Sequence, residues 1–190
     1  MRKLLLLFLL CNFAHAEDLY PGLHVEEKRK GDLYFFEASF DTPLSGCAAY
    51  RYLTDYEAAK ALPGVIESVA HRLSENQVRV ERTAFEEILF FNVKLHSVMQ
   101  YSERPFDGIS FTQLSGDSRI FRGNWRISPN PHGSTLRFDG VWEPDSMVPD
   151  FVIDYFAKSE LAEKFSAVAE LAEKRKYRQP AACSVSASAR

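Results

Sequence analysis

The sequence predicts an α+β fold: a curved antiparallel sheet of about seven strands wrapped around one long C-terminal helix, with two short helices after the first strand. Three observations point there. Apolar and polar residues alternate through most of residues 65–143, the pattern of a sheet covered on one face. Between residues 148 and 175 the apolar spacing lengthens to that of a helix, and Pro144 separates the two periods. One helix is the simplest cover for a concave apolar face. Where the sheet bends away from it, a gap remains for a ligand.

Residues 1–16 stand outside that fold. Arg2 and Lys3 precede an apolar run from Leu4 to Leu10, and Ala14 and Ala16 form a small-x-small exit. This is the pattern of a secretory signal peptide cut before Glu17, so the expected location is exported and periplasmic. Its loss leaves 174 of the 190 residues, with 21 Lys+Arg against 26 Asp+Glu, a formal charge of −5. Residues 17–178 have the length of one domain, and the small-residue tail over 179–190 is expected to be disordered.

Residues 33–40 read as the first strand, with Phe36, Ala38 and Phe40 in one phase. Asp41 or Thr42 offers a cap oxygen, and Pro43 a first helical position, to a helix ending near Leu53. Asp55 caps a second helix over 56–61, which stops at Pro63-Gly64. A helix this short is weak without tertiary packing, which makes residues 53–64 the natural gate. Strands follow over 65–73 and 78–85, the latter with Val78, Val80 and Ala84 in its apolar phase. After a tight connection at Glu86-Glu87, a long strand over 88–101 carries Leu89, Phe91, Val93, Leu95 and Met99 in one row. A further strand occupies 109–114. Phe121, Gly123, Trp125 and Ile127 then oppose Arg122, Asn124 and Arg126, and Leu136, Phe138, Gly140 and Trp142 repeat the pattern. Glycines inside strands mark bulges or curvature. The final helix carries Phe151, Tyr155, Ala162, Phe165, Ala169 and Ala172 as its stripe.

Composition excludes several classes. No apolar run after residue 16 is long enough to span a bilayer. A mildly acidic chain lacks the broad positive field of non-specific nucleic-acid binding. Cys47 and Cys183 remain after cleavage, so one disulfide is available in an oxidising compartment, and nothing in their spacing demands it. His24, His71, His96 and His132 are scattered, and no metal site or cofactor is assigned. His96 lies in the polar row of the long strand, without a neighbour placed to complete a relay. The isolated glycines form no phosphate-cradling motif.

Four stretches carry a resemblance: Ala38-Ser39-Phe40-Asp41-Thr42-Pro43 into the first helix; Leu53-Thr54-Asp55-Tyr56-Glu57 followed by Leu62-Pro63-Gly64-Val65; Leu114-Ser115-Gly116-Asp117 leading to Phe121-Arg122-Gly123-Asn124-Trp125; and the final helix. In that order they resemble the START-related helix-grip superfamily, in its coenzyme Q-binding or polyketide cyclase-like branch, over residues 31–175. The resemblance implies a seven-stranded sheet gripping the C-terminal helix around a hydrophobic tunnel. Its members bind lipids, isoprenoid quinones, sterols or polyketides, and only some are enzymes. The leader over 1–16 departs from relatives near the quinone chaperones, which usually act in the cytoplasm or mitochondrial matrix.

The candidate ligand-binding residues are apolar: Phe36, Val80, Phe91, Leu95, Phe111, Trp125, Phe138 and Trp142 from the sheet, and Phe151, Tyr155 and Phe165 from the helix. Tyr56 joins them as an entrance or rim residue. The same side chains would equally fill a solid core, and periodicity does not separate the two. The leading expectation is non-enzymatic binding or transport of a hydrophobic small molecule or lipid, with transient membrane contact and no nucleic acid. A cyclase, aromatase or isomerase, and a protein-interaction module, are the alternatives.

Overall fold

The computed structural model describes residues 19–88, 91–145, 149–175 and 183, with the Phe91 side chain outside that description. The expected signal peptide over 1–16, Leu89, Val148, and the expected tail over 179–190 apart from Cys183 lie outside the described residues. Eight antiparallel strands form one sheet: β1 (His24–Lys30), β2 (Leu33–Thr42), β3 (Val65–Ser74), β4 (Gln77–Ile88), β5 (Phe91–Arg104), β6 (Gly108–Gly116), β7 (Ser118–Asn130) and β8 (Gly133–Pro144). Their spatial order is β1-β2-β8-β7-β6-β5-β4-β3, a meander from β3 to β8 with the first hairpin added against β8. Helix α1 (Gly46–Leu53) and a 3-10 turn (Tyr56–Ala61) lie between β2 and β3. After β8 come α2 (Asp150–Tyr155), a π-helical turn (Phe156–Glu160) and α3 (Leu161–Lys174), gripped by the sheet.

The architecture is the one the alternation predicts, with one strand more. β1 escaped the pattern because an edge strand needs little burial. Of its residues only Val25 and Glu27 are half-buried, and the rest are exposed. Two caps also fall elsewhere. Asp41 and Thr42 end β2, where the Asp41 carboxylate accepts from the Thr135 hydroxyl at 2.6 Å, and α1 is capped by Ser45, whose Oγ accepts from the Ala48 amide at 3.3 Å. Asp55 makes no side-chain cap; it pairs with Arg175 at 2.6 Å. The reversal expected at Glu86-Glu87 comes later, since β4 continues through Ile88 and β5 begins at Phe91.

The stripe on the final helix holds from Phe165 onward and fails before it. In the π turn the Leu161 amide donates to the Phe156 carbonyl, five residues back, which inserts one residue into the helical count. Upstream of that insertion the face rotates. Val152, Ile153 and Ala157 are buried, while Phe151 is 57% and Tyr155 41% exposed. The expectation that Phe151 and Tyr155 face inward is therefore corrected, and the extra residue is the reason.

Two cores share the interior. At one end Phe40, Leu44, Ala48, Ala49, Ile127, Leu136, Ala169 and Ala172 pack together, each almost fully buried. At the other, larger aromatics predominate. Gly123 and Gly140 sit directly opposite each other in β7 and β8, and a Cβ on either would come within 2.6 Å of the Phe138 ring. These glycines make the seat on which that ring lies. Cys47 of α1 is disulfide-bonded to Cys183, with Cα atoms 5.6 Å apart.

Helix α2 is held to the first hairpin by charge. Arg29 reaches Asp154 at 2.7 Å and Asp150 at 3.0 Å, and the Tyr34 hydroxyl donates to Asp154 at 2.6 Å. The Tyr34 hydroxyl, then Arg29, hold the Asp154 carboxyl below its ordinary value of 3.8. A carboxyl lowered in the folded state stabilises fully above its unfolded pKa and loses that contribution as pH falls through the folded one. Acid unfolding followed by circular dichroism should thus show a component below pH 3.8 that Asp154→Asn removes. Gly140→Ala should cost about 1–3 kcal/mol by crowding the Phe138 ring. In urea titrations, Phe138→Leu should make the added methyl group less costly, so the double variant is more stable than the two single losses sum to.

Candidate functional site

Where α3 and the 3-10 turn leave the sheet, two cavities open. The gate-side lobe, about 360 Å³, lies between the inner sheet face, the segment from Tyr52 to Val65, and α3. The far lobe, about 250 Å³, continues toward the π turn and is walled by Phe36, Leu95, Trp142, Phe156 and Leu161. Arg82, Met99, Phe121, Phe138 and Phe165 border both. Several of the rings meet edge to face or tilted: Trp125 to Phe138 is 5.1 Å between centroids, Phe138 to Phe165 5.2 Å, Phe111 to Phe121 5.1 Å.

Most of the sequence-predicted residues meet here. Tyr56, Phe111 and Trp125 line the gate-side lobe, Phe36, Leu95 and Trp142 the far lobe, and Phe138 and Phe165 both. Val80 lines neither; it is fully buried in the packed core next to Val78, so its expected wall position is corrected. Phe151 and Tyr155 face outward, and Phe156 and Leu161 occupy the place expected of them. The Phe91 side chain is outside the described residues. His96 borders the far lobe on its exposed rim, where its amide donates to the Asp117 carboxylate at 2.6 Å. Among the described residues no group of three or more His, Cys, Asp or Glu is arranged to hold a metal ion.

Three polar residues were passed over although alternation could have found them. The inward phase of β4 continues from Val78 and Val80 to Arg82 and Glu86, and both line the gate-side lobe. On β5 the phase of Met99 and Tyr101 continues to Glu103, whose buried carboxylate accepts from Tyr56 at 3.0 Å, Tyr50 at 3.3 Å and the Arg72 guanidinium at 3.1 Å. The buried Glu103 carboxylate is met by three donors, one of them the exposed Arg72 guanidinium, which is the condition for tolerating a charge there. It pins the 3-10 turn to β5. Burial, reinforced by Glu103, pushes the Tyr56 hydroxyl far above its ordinary value, so it stays protonated and donating.

Ion pairs strap the gate-side opening. Lys164 of α3 reaches the Glu86 carboxylate at 2.5 Å and the Pro63 carbonyl at 3.4 Å. Arg175 pairs with Asp55 and lies 5.5 Å from the centre of the Tyr52 ring. The Tyr52 hydroxyl donates to the Val168 carbonyl at 2.6 Å. The short turn is thus tied to the helix at both of its ends.

No family model matches the sequence, and no curated protein does. Solved structures do match in shape. A STAR-related lipid transfer protein from Xanthomonas axonopodis shares 14% identity at a TM-score of 0.64, over 83% of this chain and 96% of that one. A protein from Thermus thermophilus shares 16% at 0.63, over 80% and 98%. The di-domain ARO/CYC StfQ from the steffimycin biosynthetic pathway shares 15% at 0.63, over 77% of this chain and 51% of that one, so this chain spans about half of it.

If the straps govern entry, the combined Asp55→Asn and Lys164→Met variant should admit N-phenylnaphthylamine about fivefold faster in stopped-flow fluorescence, the effect expected of two partly exposed pairs. Its equilibrium capacity for the dye should not change.

Proposed function

We propose, starting from the START-like helix-grip fold that this chain shares with those structures, that it holds an apolar or amphiphilic small molecule between α3 and the sheet and carries it unchanged. The observation behind this reading is the aromatic lining of two adjoining lobes, at the place where helix and sheet part company. An apolar body moved there from water gains about 25 cal/mol per Å² of surface covered. The likeness to a STAR-related lipid transfer protein supports the same reading.

The compartment is part of the proposal. A signal peptide over residues 1–16 would export the chain to the periplasm, and the bond between Cys47 and Cys183 suits an oxidising location. Loading would then occur by transient contact with a membrane. Among the described residues, no helix is long and apolar enough to cross one. A cyclase-like reaction is the second reading. It is favoured by Tyr56 and Arg82 on the gate-side wall and by the likeness to StfQ.

Native protein purified from the periplasmic fraction should release a stoichiometric lipid or isoprenoid on solvent extraction, identified by mass spectrometry. Ala84→Trp, which projects a large ring into the far lobe, should abolish that recovery while the protein stays folded. Repeated absence of a bound apolar molecule, together with no uptake by the extracted protein, would sink the carrier reading. Recovery of a chemically altered molecule after incubation would favour the enzyme.

A further inference from the structure

We propose that Arg82 is an anion-binding residue at the junction of the two lobes, and that the molecule held there is an amphiphile with one oxyanionic group on an apolar body. The inference rests on the cavity reading above and adds the polarity of the ligand. Arg82 stands between Val80 and Ala84 on the inward phase of β4 and borders both lobes. Directly across from it lie Ser68 on β3 and Ser97 on β5, so neither neighbouring strand sets a carboxylate opposite it.

Among the described residues, Arg82 makes one hydrogen bond, from Nε to the Ser68 hydroxyl at 3.4 Å, and that hydroxyl donates in turn to the Tyr56 carbonyl at 2.7 Å. It belongs to none of the ion pairs there. The carboxylates around the cavity are engaged elsewhere: Asp55 by Arg175, Glu86 by Lys164, and Asp117 by the His96 amide. Arg82 is half-buried on a wall shared with Met99, Phe121, Phe138 and Phe165, so part of its hydration is lost with no counter-charge gained. Its planar fork matches a carboxylate or phosphate with two parallel hydrogen bonds. The hydroxyl of Ser97, which also lines the far lobe, is available beside it. A neutral ligand of the same shape would leave the charge uncompensated.

The test uses the full mature chain with its disulfide intact and two fluorescent probes, dansylaminoundecanoic acid and its methyl ester, titrated near neutral pH. The acid should bind about tenfold tighter than the ester, the scale of a charge-assisted hydrogen bond. Arg82→Gln should erase that preference, and Arg82→Lys should keep part of it. Competition by dodecyl phosphate against dodecanoate identifies which head group is preferred, and preference for either supports the site. Should Arg82→Gln not fold, Ser97→Asp supplies an internal carboxylate opposite Arg82 and should cancel the preference for the acid. Ester binding with no advantage for the acid, or an advantage that survives the variants, overturns the anion role alone. If neither probe binds the wild-type chain, the cavity reading falls and the anion role with it.

Discussion

Where Ala169 and Ala172 meet Phe40, Leu44 and Leu136, α3 offers only methyl groups to the sheet, and all five side chains are buried. Further toward its N-terminal end the same helix presents Phe165, Leu161 and Phe156, and the sheet replies with Trp125, Phe138 and Trp142. Side chains of that size hold the two backbones apart. The closely packed end fixes the helix as a lever, and the aromatic end props it open.

Much of this was readable from sequence, and the failures have separable causes. Alternation locates seven strands and the inward phase of β2, β7 and β8 correctly because one-sided burial leaves its mark at every second residue. It misses β1, whose edge position lets charged residues outnumber apolar ones. Periodicity also places Phe165, Ala169 and Ala172, but it assumes a constant number of residues per turn. The π turn breaks that assumption, and Phe151 and Tyr155 come out on the wrong side. Nothing local in residues 156–160 announces the insertion. Arg82, Glu86 and Glu103 were missed for a different reason. Glu86 fell in the connection expected at Glu86-Glu87 and Glu103 beyond the expected strand end at Tyr101, while the apolar phase of 78–85 was read only from Val78, Val80 and Ala84.

Those charged positions divide the interior by role. Glu103 is a structural acid, closed in by two hydroxyls and a guanidinium, and it anchors the 3-10 turn from beneath. Asp55 and the Pro63 carbonyl tie the same turn to α3 from its two ends, through Arg175 and Lys164. Together they let a segment too short to be stable alone keep its shape. The glycine pair in β7 and β8 does the complementary task on the opposite wall. It gives Phe138 a flat floor, so that the ring borders both lobes instead of filling one.

The insertion at residues 156–160 carries a consequence for how such a chamber changes over generations. Rewinding that turn to the ordinary helical pattern with no residue lost would turn everything upstream by about 100°. Phe156 would swing out, and Tyr155 or Phe151 would swing in, while the alanine seam and the disulfide-bonded end stayed as they are. Substitutions that favour the ordinary winding would thereby recontour the deep end of the chamber without touching the sheet.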